Sequence, residues 1–248
     1  MRRRAPGSSR RDRSDGLVYN VQPTLVNAAD YGVPQRRERV FIVGFRSDLG
    51  VKWSFPRPTH GFDALLHDQW VTGAYWRRHG LAAPSVPEKY VGRVRLLAES
   101  FLPPDTKPWR TVRDALADLP EPISPNSGTI QDHRYQGGAK PYAGHTGSPL
   151  DLPAKTLKAG DHGVPGGENM MVRDDGSVRY FTARESARLQ TFPDGFKLHG
   201  TWTEAMRQIG NAVPVMLARH VAASVALRLA EAEARRLTGA SMVERARA

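Results

Sequence analysis

Two Thr-x-x-Glu strings, Thr182–Glu185 and Thr201–Glu204, punctuate the stretch from Tyr180 to Arg219 and constrain this chain more than any other feature. In such a capping box the hydroxyl and the carboxylate each satisfy a backbone donor left orphaned at a helix start. The spacing predicts a helix that begins at Thr182 and stops before Phe192-Pro193, because proline disfavours helix in the residue ahead of it. A second, short helix begins at Thr201 and closes at Gly210, acting as a left-handed cap. The chain then turns through Asn211 and opens a third helix with Pro214 at its first position, where a missing N–H costs nothing. Beyond it, Ala218, Val221, Ala222, Val225 and Leu229 recur at three-and-four spacing. They form one apolar stripe, to be packed on a sheet. Residues 239–248 read as a frayed tail.

Composition narrows the class. A chain of 248 residues makes one sizeable domain or two small ones, and 40% hydrophobic with 25% charged residues describes an ordinary soluble protein. No run reads as apolar enough to span a membrane. The N-terminal arginines lack the apolar core of a secretory signal, and the expected location is cytoplasmic. A net charge of +11 with a pI near 10.3 favours a polyanionic partner, nucleic acid first, over a merely basic solvated surface. Cysteine is absent, which removes disulfides, thiolate metal sites and a cysteine nucleophile from this chain. The eight histidines show no ligand spacing, so no metal site is expected.

In chain order, residues 1–16 hold six arginines against two aspartates and no large aliphatic residue beyond Met1. That suits a disordered basic leader more than a DNA-binding arm. Two β-rich runs follow, Val18–Val26 and Val40–Phe45, joined by a polar turn with Gly32 and Pro34. The second run is apolar on both faces, as in a strand inside a covered sheet. Between them lies Gln35-Arg36-Arg37-Glu38-Arg39, on local grounds either a solvated turn or a functional cluster. Residues 47–178 are rich in proline and glycine. One clear helix starts near Thr111 and ends at Leu119-Pro120, with Val112, Ala115, Leu116 and Leu119 on one face. The rest reads as loops and short strands. Aromatics interleaved with cations, at Tyr75-Trp76-Arg77-Arg78-His79 and near Trp109, suit a small satellite core more than nucleic-acid contact.

Two strings carry a family resemblance. Arg179, Thr182, Arg184, Glu185, Arg188, Leu189, Gln190, Phe192, Pro193 and Asp194, followed by Gln208, Gly210, Asn211, Ala212, Val213 and Pro214, resemble the last two motifs of the DNA cytosine-5 methyltransferases. Asn27, Ala28, Asp30, Tyr31, Gly32, Pro34, Gln35, Arg37 and Arg39 resemble an earlier motif of that family. The resemblance, spanning Tyr19 to about Leu229, implies that Arg37 and Arg39 contact the flipped cytosine or its phosphate. It further implies that Gln35, Arg36 and Arg184 meet DNA, and that Asn211 and Ala212 lie beside S-adenosylmethionine. Residues 47–178 would read the target sequence in double-stranded DNA.

Three parts of the family's pattern are missing here: its Pro-Cys nucleophile, its Phe-x-Gly-x-Gly cofactor loop and its Glu-Asn-Val glutamate. Glu168-Asn169-Met170 falls far downstream in a turn-rich loop and reads as a chance likeness to the last. The fold implied is therefore the α/β S-adenosylmethionine-dependent methyltransferase fold, incomplete. An α+β small domain at 47–200 would carry target recognition. A β-hairpin at 17–46 and a turn and helix at 201–238 would belong to the large catalytic domain. Such a chain is expected to be inactive alone, needing a second polypeptide, or a longer reading frame, for the missing motifs. It would associate with the nucleoid. The alternative is a non-catalytic, sequence-selective DNA-binding protein or truncated pseudoenzyme.

Overall fold

The computed structural model describes residues 16–122, 129–159 and 168–245. All of the expected leader but Gly16 lies outside the described residues. The chain opens with an antiparallel ribbon, β1 (Tyr19–Asn27) and β2 (Glu38–Arg46), joined through a 3-10 turn at Ala28–Tyr31. Next come β3 (His60–Gly61), α1 (Phe62–Leu66), a π-turn at His67–Val71, α2 (Ala74–Arg78) and α3 (Glu88–Glu99). β4 (Lys107–Pro108), α4 (Val112–Leu116) and β5 (Ser148–Pro149) lead to the hairpin of β6 (Met170–Val172) and β7 (Val178–Tyr180). Three helices finish the chain: α5 (Ala183–Leu189), α6 (Trp202–Asn211) and α7 (Val215–Arg245). β3 pairs parallel with β4, and β5, β6 and β7 form a three-stranded sheet.

The capping boxes form as the spacing predicts. Thr182 accepts from Glu185 N and Thr201 from Glu204 N, with both glutamates returning to the cap backbone. Thr111 makes a third box with Asp114 and starts α4. Within one core, α4, α5 and α6 pack Val112, Phe181, Leu189, Met206 and Ile209 together with Leu157. Tyr75 and Trp76 are buried with Leu65 in a separate cluster, the satellite core that the sequence favours. The helices α1, α2 and α3 were not legible as such. α3 buries only Val94, so its periodicity is faint.

Three sequence expectations need correction. First, β2 is covered on one face only. Val26, Phe41 and Phe45 turn inward, packing beside Phe55, Trp53 and the Leu217, Val221 and Val225 side of α7. Outward stand Val21, Leu25, Val40 and Ile42, at 56%, 66%, 62% and 71% exposure. Second, the buried stripe of α7 is rotated from the expected one. Leu217 and Ala232 are buried whereas Leu229 is exposed, and the helix continues to Arg245 rather than ending at 239. Leu227, Leu229 and Leu237 stand exposed on α7, and Trp202–Thr238 holds a stretch long and apolar enough by length and composition to cross a membrane.

Third, Gly210 does not close α6. The helix runs on through Asn211, and Ala212 caps it in an extended conformation. Glycine is needed there for contact, since a Cβ at 210 would lie 2.6 Å from the Cα and N of Ala159. Helix propensity alone makes Gly→Ala favourable by about 1 kcal/mol. The clash with backbone should reverse that sign, so Gly210→Ala is expected to destabilise the chain by roughly 2 kcal/mol or more. A thermal midpoint at or above that of the parent would refute the close approach.

Candidate functional site

The arginine cluster and the Gly-Asn-Ala-Val-Pro turn, far apart in sequence, meet in space. Arg37 is 3% exposed, and its Nη2 donates to Gly210 O at 2.7 Å and to Ala212 O at 3.1 Å. Among the described residues its Nε and Nη1 have no partner, nor does either amide atom of the fully buried Gln35. Burial, then the neighbouring Arg39 charge, pushes the Arg37 guanidinium down to about 10, so it remains a cation at neutral pH.

The loop carrying these residues is held by backbone pairing. Arg36 N donates to Ala154 O at 2.8 Å, Ala154 N to Pro34 O at 3.0 Å, and Thr156 Oγ1 to Arg36 O at 2.8 Å. Asn27 Oδ1 accepts from Ala29 N and from Arg37 N, fixing both ends of the turn. Arg36 and Arg39 point to solvent.

The far side of the turn is held by the end of α5. Gln190 Nε2 donates to Ile209 O at 2.6 Å, and Gln190 O accepts from Val215 N at 3.0 Å. Thr191, at a φ of 59°, lends its Oγ1 to Met216 N at 2.8 Å. Two orphan donors at the start of α7 are thereby satisfied. Asn211 itself is exposed, while the N–H of Ala212 is committed to Ile209 O.

The DNA contact expected of Arg184 is corrected. The residue is fully buried, with the guanidinium directed to Gln131 O, Pro193 O, Phe196 O and Asp132. Surrounded by acceptors, the charge is tolerated inside and serves as a tie between loops. Glu168, read as a chance likeness, is buried and accepts from Gly147 N and Lys155 Nζ. No group of three or more potential metal ligands occurs among the described residues.

The family model for C-5 cytosine-specific DNA methylases matches residues 13–226. The chain belongs to that family. It is 31% identical over 215 residues to the type II methyltransferase M.NgoPII of Neisseria gonorrhoeae, covering 85% of this chain and 56% of that protein. The type II methyltransferase M.BsuRI of Bacillus subtilis is likewise 31% identical, over 84% of this chain and 42% of its own length. This methylase-family chain thus spans about half the length of the curated relatives it matches. Among solved structures, the Dnmt2 methyltransferase of S. pombe aligns with a TM-score of 0.46 at 16% identity, over 86% of this chain and 58% of that one.

His60 lies under the turn that carries this family's arginines. A Cβ on Gly32, whose φ is +82°, would stand 2.7 Å from His60 Cε1. Burial, then the charges of Lys107, Arg110 and His220, holds the imidazole down at about 4. The unfolded chain binds a proton near its ordinary value of 6.5 and the folded chain does not. Stability therefore falls as pH drops from about 6.5 toward about 4, by roughly 1 to 2 kcal/mol for a half-buried group. Replacing His60 with Gln is expected to flatten the urea midpoint across that window; an unchanged slope would remove His60 as its source.

Proposed function

We propose that this chain is the C-terminal part of a DNA cytosine-5 methyltransferase of the restriction-modification type. Residues 47–200 would carry target recognition on double-stranded DNA, and 17–46 with 201–238 would belong to the catalytic domain. The observation that carries this reading is the pair of buried, incompletely partnered side chains, Gln35 and Arg37, beside the Gly210–Ala212 turn. Protein interiors leave few polar groups unpaired, so such a pair suits a ligand that brings its own acceptors and donors. A cytosine turned out of the duplex does so through its ring nitrogen, carbonyl and amino group.

The chemistry of the residues fits that ligand. Attack at C6 of a cytosine drives electron density into the ring and its O2. A fixed guanidinium stabilises that developing charge, and Arg37 is held rigidly enough to do so. Arg39, exposed on β2 two residues further along, would reach the phosphate or the base edge. Gln35 would hydrogen-bond within the same pocket, and Arg36 would meet the DNA backbone. S-adenosylmethionine would supply the transferred methyl group. Asn211 offers a free, exposed side chain for it, and Ala212 sits beside Asn211 with its polar atoms already used. These residues fit one wall of a cofactor site.

The nucleophile must come from outside the present sequence, which holds no cysteine. The bare apolar face of the β1–β2 ribbon offers the place where the complementing polypeptide or a preceding segment docks. The working location would be the cytoplasm, on the nucleoid.

The test is methyl transfer from labelled S-adenosylmethionine to duplex DNA, by this chain alone and with a polypeptide carrying the Pro-Cys and Phe-x-Gly-x-Gly motifs. Transfer is expected only from the pair. Activity of the chain alone would sink the proposal. In the active pair, Arg39→Ala should lower the rate by about 100-fold with no change in thermal midpoint. Arg37→Ala should lower both, since it also releases the Gly210 and Ala212 carbonyls.

A further inference from the structure

We propose that an aromatic cavity at the N-terminal end of α6 is a stacking slot for a nucleobase of bound DNA, separate from the pocket at Arg37. The cavity, of about 230 Å³, is lined by the rings of Tyr142, His145, Tyr180 and Trp202. The rings come as two pairs. Tyr142 and His145 have centroids 4.3 Å apart at an interplanar angle of 36°, and Tyr180 and Trp202 lie 5.4 Å apart at 52°. Their backbones are fixed beforehand. Tyr142 and His145 exchange both main-chain hydrogen bonds, at 3.0 and 2.8 Å, across a turn whose Gly144 has a φ of +81°. The Trp202 indole donates to Phe181 O at 3.1 Å. Rings held in this way lose little freedom when a planar group stacks on them.

Charge decides between a base and a cation as the occupant. An aromatic cage for an ammonium group draws on negative potential. Among the described residues Glu168 is the one carboxylate lining this cavity, and it is already neutralised by Lys155 and hydrogen-bonded by Gly147 N. Lys158 adds a positive charge to the same lining. A net positive, ring-walled slot suits a neutral planar group carried on a polyanion, which is a nucleobase with its phosphates. The volume falls below the roughly 300 to 1,000 Å³ of ordinary ligand pockets and suits a single ring system.

The slot stands apart from the target-base pocket. Trp202 and Gly210, whose carbonyl Arg37 holds, lie at opposite ends of α6, a rise of roughly 12 Å. At about 3.4 Å per step along one strand, that separates the two sites by three to four nucleotides. The slot would therefore take a second, unpaired base while the cytosine occupies the first.

The proposal rests on the DNA-binding reading above, and the experiment separates the two. The full chain is titrated with three probes: a short oligodeoxythymidylate, an abasic strand of equal length, and a paired duplex. Tryptophan fluorescence is the readout. Oligothymidylate should bind about 10-fold more tightly than the abasic strand and quench an emission that Trp202→Phe removes. Tyr142 is 59% exposed, so Tyr142→Ala should fold normally. It should lose roughly 10-fold in affinity for oligothymidylate and none for the abasic strand. Equal binding of the two strands, or an unaffected Tyr142→Ala, would overturn the slot and leave duplex binding as evidence for the function. Failure to bind any of the three would overturn both.

Discussion

The structure depends on one buried ion pair. Glu185, 2% exposed at its side chain, takes both terminal nitrogens of Arg179 at 2.7 Å and also accepts from Thr182 N at 2.8 Å. One carboxylate thus closes the capping box of α5 and anchors β7 to it. Two charges this deep are costly to desolvate, and only near-complete hydrogen bonding offsets the cost. Here it is complete on the acid, and Arg179 adds Glu121 and Tyr180 O. Removing either partner would leave a naked charge in the core, typically a loss of about 3 to 5 kcal/mol.

Geometry set by that pair reaches the candidate site through α5. The helix ends in Gln190 and Thr191, and these two residues hold Ile209 O and the first amides of α7. Arg37 grips the same turn from the ribbon side. A turn clamped from both sides can present Asn211 to a ligand without first having to order itself, which is how preorganised sites save binding energy. Arg37 also couples the turn to the strand that carries Arg39, so events at one should be felt at the other.

Much of this was legible because it obeys local rules. Thr111, Thr182 and Thr201 announce their helices through contacts within four residues, and β1 and β2 through short apolar runs. Where a long-range contact decides, the sequence misleads. Gly210 reads as a cap because glycine usually is one there, yet it answers to Ala159 from another loop. The resemblance assigns Arg184 to DNA, yet four acceptors from two loops enclose it. The ring-lined cavity draws residues from 142 to 202 and leaves no periodic trace. The face of β2 was ambiguous for a different reason: an apolar residue does not say whether its cover is encoded in the same chain.

That bare face has a cellular consequence. A ribbon only two strands wide, with Val21, Leu25, Val40 and Ile42 against water, is a weak structural unit and a template for unwanted pairing. Uncovered copies would be the substrates of chaperones and proteases, whose triage follows the exposed population. Whatever lies against β1 and β2 in the working protein, within a longer chain or outside it, would therefore govern how long the polypeptide survives as well as how firmly it folds.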